Sequence, residues 1–506
     1  MENNFAIRSG SDLLKSPFAL AILLVVMLFI GYIVAKSGIV AGALFIILPF
    51  IIIYAATVFL NPRIAMITIY IANFIVVGAM RYVSGIPLGL SIDALLILTF
   101  LSLFFSNFFK EIQWNKAKGE LLILSAIWFG YTLFELVNPE AVSMAAWFYA
   151  MRAVALYMIL IIPLIFIMFD TRKDVYLFLK IWAIMSIIGT VKGIVQKFVG
   201  LDPFEQIWLN ENANTHLLFG KLRVFSFFSD AGQFGAAQGH TGVVFLILAL
   251  CKEYSKKTRI FYAITGLLGL YGLMISGTRG AMAVPVMGFA LYILLRKNFK
   301  VILLGGILGL SVIIFFKFTF IGQSNYTIAR MRTAFNPSED ASYQLRKMNQ
   351  QKFKTYLASR PFGGGVGSAG FWGLRFSPRT FLAQTATDSW YVKIWAEMGV
   401  VGLTLYLLIM VYILLKSMFL IFFKIKDPEI SALMSALTSG YLGILVASYG
   451  NGIIGQLPTG LLIYSSMAYI YLGPRLELEK MRELDSLKEN NPAFQNPMKQ
   501  NLKLNT

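Results

Sequence analysis

Residues 17–35, PFALAILLVVMLFIGYIVA, hold no charged side chain. A helix of that length rises about 28 Å, enough to cross a hydrocarbon core of ~30 Å. Arg8 and Lys15 precede the run and Lys36 follows it. It is too long for a secretory h-region and has no small-residue cleavage site, so it reads as an uncleaved anchor with a cytoplasmic N-terminus.

Similar apolar runs continue along the chain, at 39–60, 64–80, 92–109, 121–137, 149–169, 175–198, 234–251, 260–276, 281–295, 301–320, 395–415, 430–448 and 456–473. The fold class expected is therefore an all-α polytopic membrane protein of about fourteen transmembrane helices. The composition agrees: of 506 residues 58% are hydrophobic and only 14% charged, with a mean hydropathy of +0.70. A soluble chain carries about a quarter charged residues. A single cysteine, Cys251, excludes an internal disulfide, and the two histidines, His216 and His240, give no basis for a zinc site. No cofactor and no metal are expected.

The net charge of +19 would suggest nucleic acid in a soluble protein. Here short cytoplasmic loops, which collect Lys and Arg, account for it. Alternation from a cytoplasmic N-terminus puts Lys110/Lys116/Lys118, Arg172/Lys173, Lys252/Lys256/Lys257/Arg259, Arg296/Lys297/Lys300 and Lys416/Lys424/Lys426 inside, and leaves Lys36, Arg81, Arg152 and Arg279 at short outer connections. The resulting organisation is a cytoplasmic N-terminus (1–16), eleven spans with an outer loop at 199–233 (17–320), a large extracytoplasmic loop (321–390), three last spans (391–473) and a cytoplasmic polar tail (474–506). In that tail Arg475 to Lys488 can form a short amphipathic helix on the inner surface, with a disordered end. No internal repeat supports an inverted-repeat transporter.

The 321–390 loop carries nine basic residues against three acidic ones, Glu339, Asp340 and Asp388. Long loops cross regardless of charge, so the topology stands, but the excess needs a cause. Solvation or attraction to anionic headgroups is one reading. An anionic substrate is the sharper one, since guanidinium groups suit phosphate oxygens. Ser342 to Leu357 reads as a helix with Tyr343, Arg346, Gln350 and Lys354 on one polar stripe. The turn that follows, RPFGGGVG from Arg360, is glycine-rich enough at Gly365 and Gly367 for backbone to approach a ligand. Arg279 lies in a tight hairpin, SGTRG from Ser276; Arg223 and Asp230 precede one span, and Arg152 opens another. Each arginine alone could be a snorkelling interface residue. Several at one depth favour a shared anionic ligand.

Four stretches, RVFSFFSDAGQFG from Arg223, SGTRG from Ser276, RPFGGGVG from Arg360 and TDSWYVKIWAEMGVVG from Thr387, resemble the O-antigen ligase and polysaccharide polymerase superfamily of bacterial inner membranes. The similarity covers roughly residues 120 to 470. It implies a multi-pass protein of the cytoplasmic membrane that transfers a glycan from undecaprenyl diphosphate to a sugar hydroxyl, without nucleotide or obligatory metal. Its implied partners are the lipid-linked donor, a glycan acceptor, membrane lipids and chain-length or export proteins, with no nucleic acid. Arg223, Arg279 and Arg346 match the family's outer-loop arginines. Many ligases carry His-Asn where this chain has Asp388-Ser389, which puts the ligase assignment in doubt and is reminiscent of polymerase-like members.

The chemistry such an enzyme needs is cationic stabilisation of a leaving diphosphate and a base for the acceptor hydroxyl. Arg279, with Arg223, Arg346, Arg152 and Arg360, could supply the first, and Asp388 the second. Asp388 could equally be a helix cap. Glu397, about 13 Å further along a helix, is a poorer base and is expected to pair with Lys393 or serve packing. The alternatives are an O-antigen ligase acting on lipid A core and, in a different class, a flippase of the lipid-linked glycan.

Overall fold

A computed structural model describes residues 17–489 apart from 38, 84–86, 219 and 336–340. The segment 1–16, the end of the polar tail from 490, and Glu339 and Asp340 lie outside the described residues. The described chain is helical almost throughout, with one two-stranded ladder, β1 (Leu217–Leu218) and β2 (Lys221–Leu222). Two compact units form, one from residues 17–65 with 98–111 and one from 66–97 with 112–489.

In the first unit, α1 (Pro17–Ser37) and α2 (Ile39–Leu60) contain almost nothing but apolar residues. The second unit contains α5 (Glu120–Phe134), α6 (Met144–Met168), α7 (Arg172–Phe198), α8 (Pro203–His216), α9 (Ala231–Ala249) and α10 (Lys256–Ile275). After these come α11 (Ala283–Leu295), α12 (Phe299–Phe318), α13 (Tyr326–Arg332), α14 (Ala341–Leu357), α15 (Gly370–Phe376), α16 (Phe381–Gln384), α17 (Trp390–Phe419), α18 (Pro428–Ala447) and α19 (Thr459–Glu489). Between the first two helices and α5 run α3 (Arg63–Ala79) and α4 (Leu90–Ser106). Among the described residues six helices are long and apolar enough to cross a membrane, and six shorter apolar helices accompany them. The protein is thus an α-helical multi-pass membrane protein.

The helix α9 is instructive because glycine and polar residues interrupt its apolar run, AGQFGAAQGHTGVVFLILA. It is nearly all buried within the protein, so its polar and small residues face other helices and not lipid. Glycines make that burial possible. A Cβ on Gly269 of α10 would lie 2.7 Å from the Gln238 carbonyl, and one on Gly242 would lie 2.6 Å from Leu270 Cδ2. Close backbone approach through small residues is the usual way helices associate without a hydrophobic driving force.

The described residues of the 321–390 segment form helices around a small core. Along α14 the residues Asn349, Phe353 and Leu357 recur every four positions and turn inward. Phe353 and Leu357 pack with Ala369, Leu382 and with Val392 and Ala396 of α17. On the adjoining stripe Tyr343 and Lys354 are exposed, and Arg346 and Gln350 are half-buried. Arg332 is not available to a ligand: it is buried, and its guanidinium donates to the Phe316 and Ile321 carbonyls at 3.1 Å, closing the end of α12.

The glycine turn after Arg360 locks into a break in α17. Gly364 N–H donates to the Ala396 carbonyl at 3.0 Å and Gly365 N–H to that of Glu397 at 2.8 Å. The break is Gly399, with φ 67° and ψ −171°, a region open essentially to glycine alone. A Cβ there would sit 1.9 Å from the Pro361 carbonyl oxygen. Gly399→Ala is therefore expected to destabilise the fold by about 3 kcal/mol or more, read as loss of folded protein by size-exclusion in detergent; wild-type yield and thermal stability would contradict it.

The last helix departs from expectation. In place of a span and a separate surface helix, α19 runs unbroken through Pro474 for 31 residues. Ion pairs hold its extension: Arg475 to Asp170, and Lys480 to Asp427 and Glu429 at 2.7 Å each. Glu477 accepts from the Lys426 N–H at 2.8 Å.

Candidate functional site

The Ser276–Gly280 hairpin is the centre of an arginine cluster. Gly277, at φ 60°, permits a turn too tight for a side chain. Its carbonyl accepts from Arg330 Nε at 2.6 Å, and a Cβ on it would lie 3.3 Å from Arg330 Nε and 3.7 Å from Arg223 Cγ. Arg223 donates to Thr278 Oγ1 at 2.9 Å and to the Thr215 carbonyl at 2.8 Å. Arg279 follows in a short 3-10 turn and donates to Thr333 Oγ1 at 2.9 Å. All three guanidinium side chains are half-buried.

The fourth cation arrives from α14. A Cβ on Gly280 would lie 3.1 Å from the Asn451 amide nitrogen, and one on Gly450 would lie 3.9 Å from an Arg346 guanidinium nitrogen. A Cβ on Gly232 would lie 3.6 Å from Asn451 Oδ1 and 2.8 Å from Asp230 Oδ1. One locus thus gathers Arg223, Arg279, Arg330, Arg346, Asn451 and Asp230. Within it Asp230 has a structural duty, since its Oδ1 caps α9 by accepting from Gln233 N–H at 2.9 Å. Its other oxygen receives the Ser229 hydroxyl at 3.0 Å.

Asp388 borders this locus. Ala386 accepts from Asn349 Nδ2 at 3.2 Å, one turn along α14 from Arg346. On the other side Trp390 N–H donates to the Ser448 carbonyl at 3.0 Å, next to Gly450. The side chain between these anchors is exposed, and the backbone has φ 50°. Asp388 is not the cap of α17; Ser389 is, accepting from Val392 N–H at 3.5 Å.

The remaining candidates lie apart, each engaged by the protein itself. Arg152 pairs with Asp93 at 2.6 Å, both side chains largely buried. Arg360 pairs with Glu140 at 2.9 Å and lies 4.3 Å from the Tyr356 ring centre. Gly365 and Gly367 make their close approaches to Ala141 and Ala146, not to open space. Glu397 is fully buried, and its Oε1 accepts from the Ala369 N–H at 3.3 Å, so it ties the glycine turn to α17. No ion pair with Lys393 forms at contact distance among the described residues; the packing role is the one realised. No group of side chains among those residues could hold a metal ion.

Three residues that the sequence did not single out shape the site. Arg330 and Asn451 belong to it directly. Arg81 clamps the 226–229 turn from beneath, donating to the Ser226 carbonyl at 2.8 Å and stacking 4.4 Å from Trp208 and 4.5 Å from Phe225. Burial lowers its guanidinium to about 10, which leaves it cationic at neutral pH.

His216 supports Arg223 from behind. Its Nε2 accepts from the Ala231 N–H at 3.2 Å, so the neutral ring carries its hydrogen on Nδ1, facing the Asn212 carbonyl at 3.3 Å. Burial, above all, holds its pKa below the usual histidine range; Asp230 opposes the shift and Arg223 adds to it. The unfolded ring gains its proton as pH falls through about 6.5 while the folded ring resists it. Its contribution is therefore complete above that pH and is lost as pH falls below it. The thermal midpoint should drop between pH 7 and pH 5, and His216→Asn should flatten that drop; an unchanged slope would assign the pH dependence elsewhere.

Residues 264–407 match the family described as O-Antigen ligase. The resemblance to the ligase and polymerase superfamily is thus shown over that segment, which contains Arg279, Arg330, Arg346, Asp388 and residues 321–390. No curated protein matches the chain.

Proposed function

From this match to the O-antigen ligase family, we propose that the protein is a membrane glycosyltransferase that moves a glycan from undecaprenyl diphosphate to a sugar hydroxyl, acting as a polysaccharide polymerase. The observation that carries the proposal is the gathering of Arg223, Arg279, Arg330 and Arg346 around one hairpin, with the stretch that carries Asp388 anchored next to it at Ala386 and Trp390. In the reaction the acceptor oxygen attacks the anomeric carbon while its bond to the diphosphate breaks. The departing electron pair goes to a phosphate oxygen, which the guanidinium groups stabilise. The proton of the acceptor hydroxyl passes to the Asp388 carboxylate. A single displacement of this kind inverts the anomeric centre.

The topology that goes with this reading has fourteen spans, both termini cytoplasmic, and the 321–390 segment outside the cytoplasmic membrane. Purified protein given lipid-linked repeat units should release undecaprenyl diphosphate and build a ladder of longer lipid-linked glycans. Transfer only to a lipid A core would make it a ligase, and translocation without either product would overturn the proposal.

A further inference from the structure

Along α10 the arginine cluster lies beyond Ile275, while the first turn, about 26 Å away, borders a cavity of about 580 Å³. Its lining includes Lys180 of α7, Lys257 of α10, Glu429 of α18, and Tyr176, Tyr254 and Tyr262. The three tyrosines meet edge to face, with ring centres 6.1 Å and 5.6 Å apart. They give the cavity an aromatic wall, and the buried Tyr254 hydroxyl has no partner of good hydrogen-bond geometry there.

The charge balance of the cavity is set by the lysines. Glu429 pairs with Arg172 at 3.3 Å and Lys480 at 2.7 Å and accepts the Tyr176 phenol. Its carboxylate is therefore neutralised by two cations that are not part of the cavity lining. Lys180 and Lys257 are exposed, and they come from different helices. Beside them on α10, Ile260 and Ile264 are each half exposed, extending the cavity as an apolar surface. Two cations, an aromatic wall and an adjoining apolar strip match a molecule with an anionic head and hydrocarbon tails.

We propose that this cavity binds the phosphate headgroup of an anionic phospholipid, at the end of the helical unit opposite the arginine cluster. Lys180 and Lys257 hold the phosphate by charge, Tyr254 donates to it, and the acyl chains lie along Ile260 and Ile264. The proposal does not depend on the glycan-transfer reading.

The test uses the full chain, delipidated in a neutral detergent. Thermal midpoints are measured with dioleoyl-phosphatidylglycerol, dioleoyl-phosphatidylcholine or inorganic phosphate added. Phosphatidylglycerol should raise the midpoint, and the other two should leave it unchanged. The double variant Lys180→Gln/Lys257→Gln should keep its lipid-free midpoint and bind phosphatidylglycerol about tenfold or more weakly. Lys252→Gln/Lys256→Gln, which removes two exposed lysines outside the cavity lining, should bind it normally. Tyr254→Phe should bind it less tightly than the wild type. An equal shift with phosphatidylcholine, or equal weakening by both double variants, would overturn the site. A full shift with phosphate alone would make it a free-anion site and overturn the lipid assignment.

Discussion

Replacing Arg279 by alanine should cut polymer formation on lipid-linked substrate by about 10³ and leave the amount of folded protein in the membrane unchanged. The residue is half-buried and sits two positions after Gly277, against whose carbonyl Arg330 is fixed. Its guanidinium donates to Thr333 Oγ1 at 2.9 Å, in a 3-10 turn of the 321–390 segment. Loss of the side chain should therefore disturb the site more than the fold. Arg279→Lys should recover little, because a point charge cannot present the planar pair of donors that two phosphate oxygens accept. Full activity of the lysine variant would reduce Arg279 to a general electrostatic role. A collapse in protein level would make it structural.

Much of the fold was legible because lipid imposes length and polarity on every exposed helix. The runs at 121–137, 175–198 and 430–448 coincide with helices at Glu120–Val137, Arg172–Phe198 and Pro428–Ala447. Between Phe318 and Trp390 the described residues form only short helices and Ala341–Leu357. The helix expected from Ser342 appears as Ala341–Leu357, because its apolar residues recur at the helical period. The tail was harder. Its charges looked like those of a surface helix, but their partners, Asp170, Asp427 and Glu429, lie in distant parts of the chain.

The site was legible in part, for a physical reason. An arginine in a loop has the same sequence signature whether it faces a ligand, caps a helix or meets a carboxylate. Arg223, Arg279 and Arg346 converge, whereas Arg152 and Arg360 find Asp93 and Glu140, partners 59 and 220 positions away. Arg332, of the same loop as Arg346, is consumed by carbonyls at the end of α12. Asn451 carries no charge and belongs to no motif, so only the approach of Gly280 reveals it. The glycine run was read as a ligand cradle; its close approaches are instead to Ala141, Ala146 and the Gly399 break.

Asp388→Asn should lower chain synthesis by about 10² or more while leaving expression and thermal midpoint near those of the wild type. The local structure makes this substitution an unusually clean probe. Asp388 has φ 50°, in the left-handed region that asparagine tolerates as well as aspartate. Its side chain is exposed, so the amide leaves no buried donor unsatisfied. Capping of α17 falls to Ser389, so the familiar reason for an aspartate at a helix start does not apply. Ser389→Ala provides the contrast: it should cost stability of about 1 kcal/mol through the lost cap and spare most of the activity per folded molecule. Asparagine keeps the shape and the hydrogen-bonding reach of the carboxylate but cannot take up the acceptor's proton. Near-normal polymer lengths and rates from purified Asp388→Asn enzyme would remove Asp388 from the reaction. The proton would then have to leave through another group, with the arginines still holding the diphosphate.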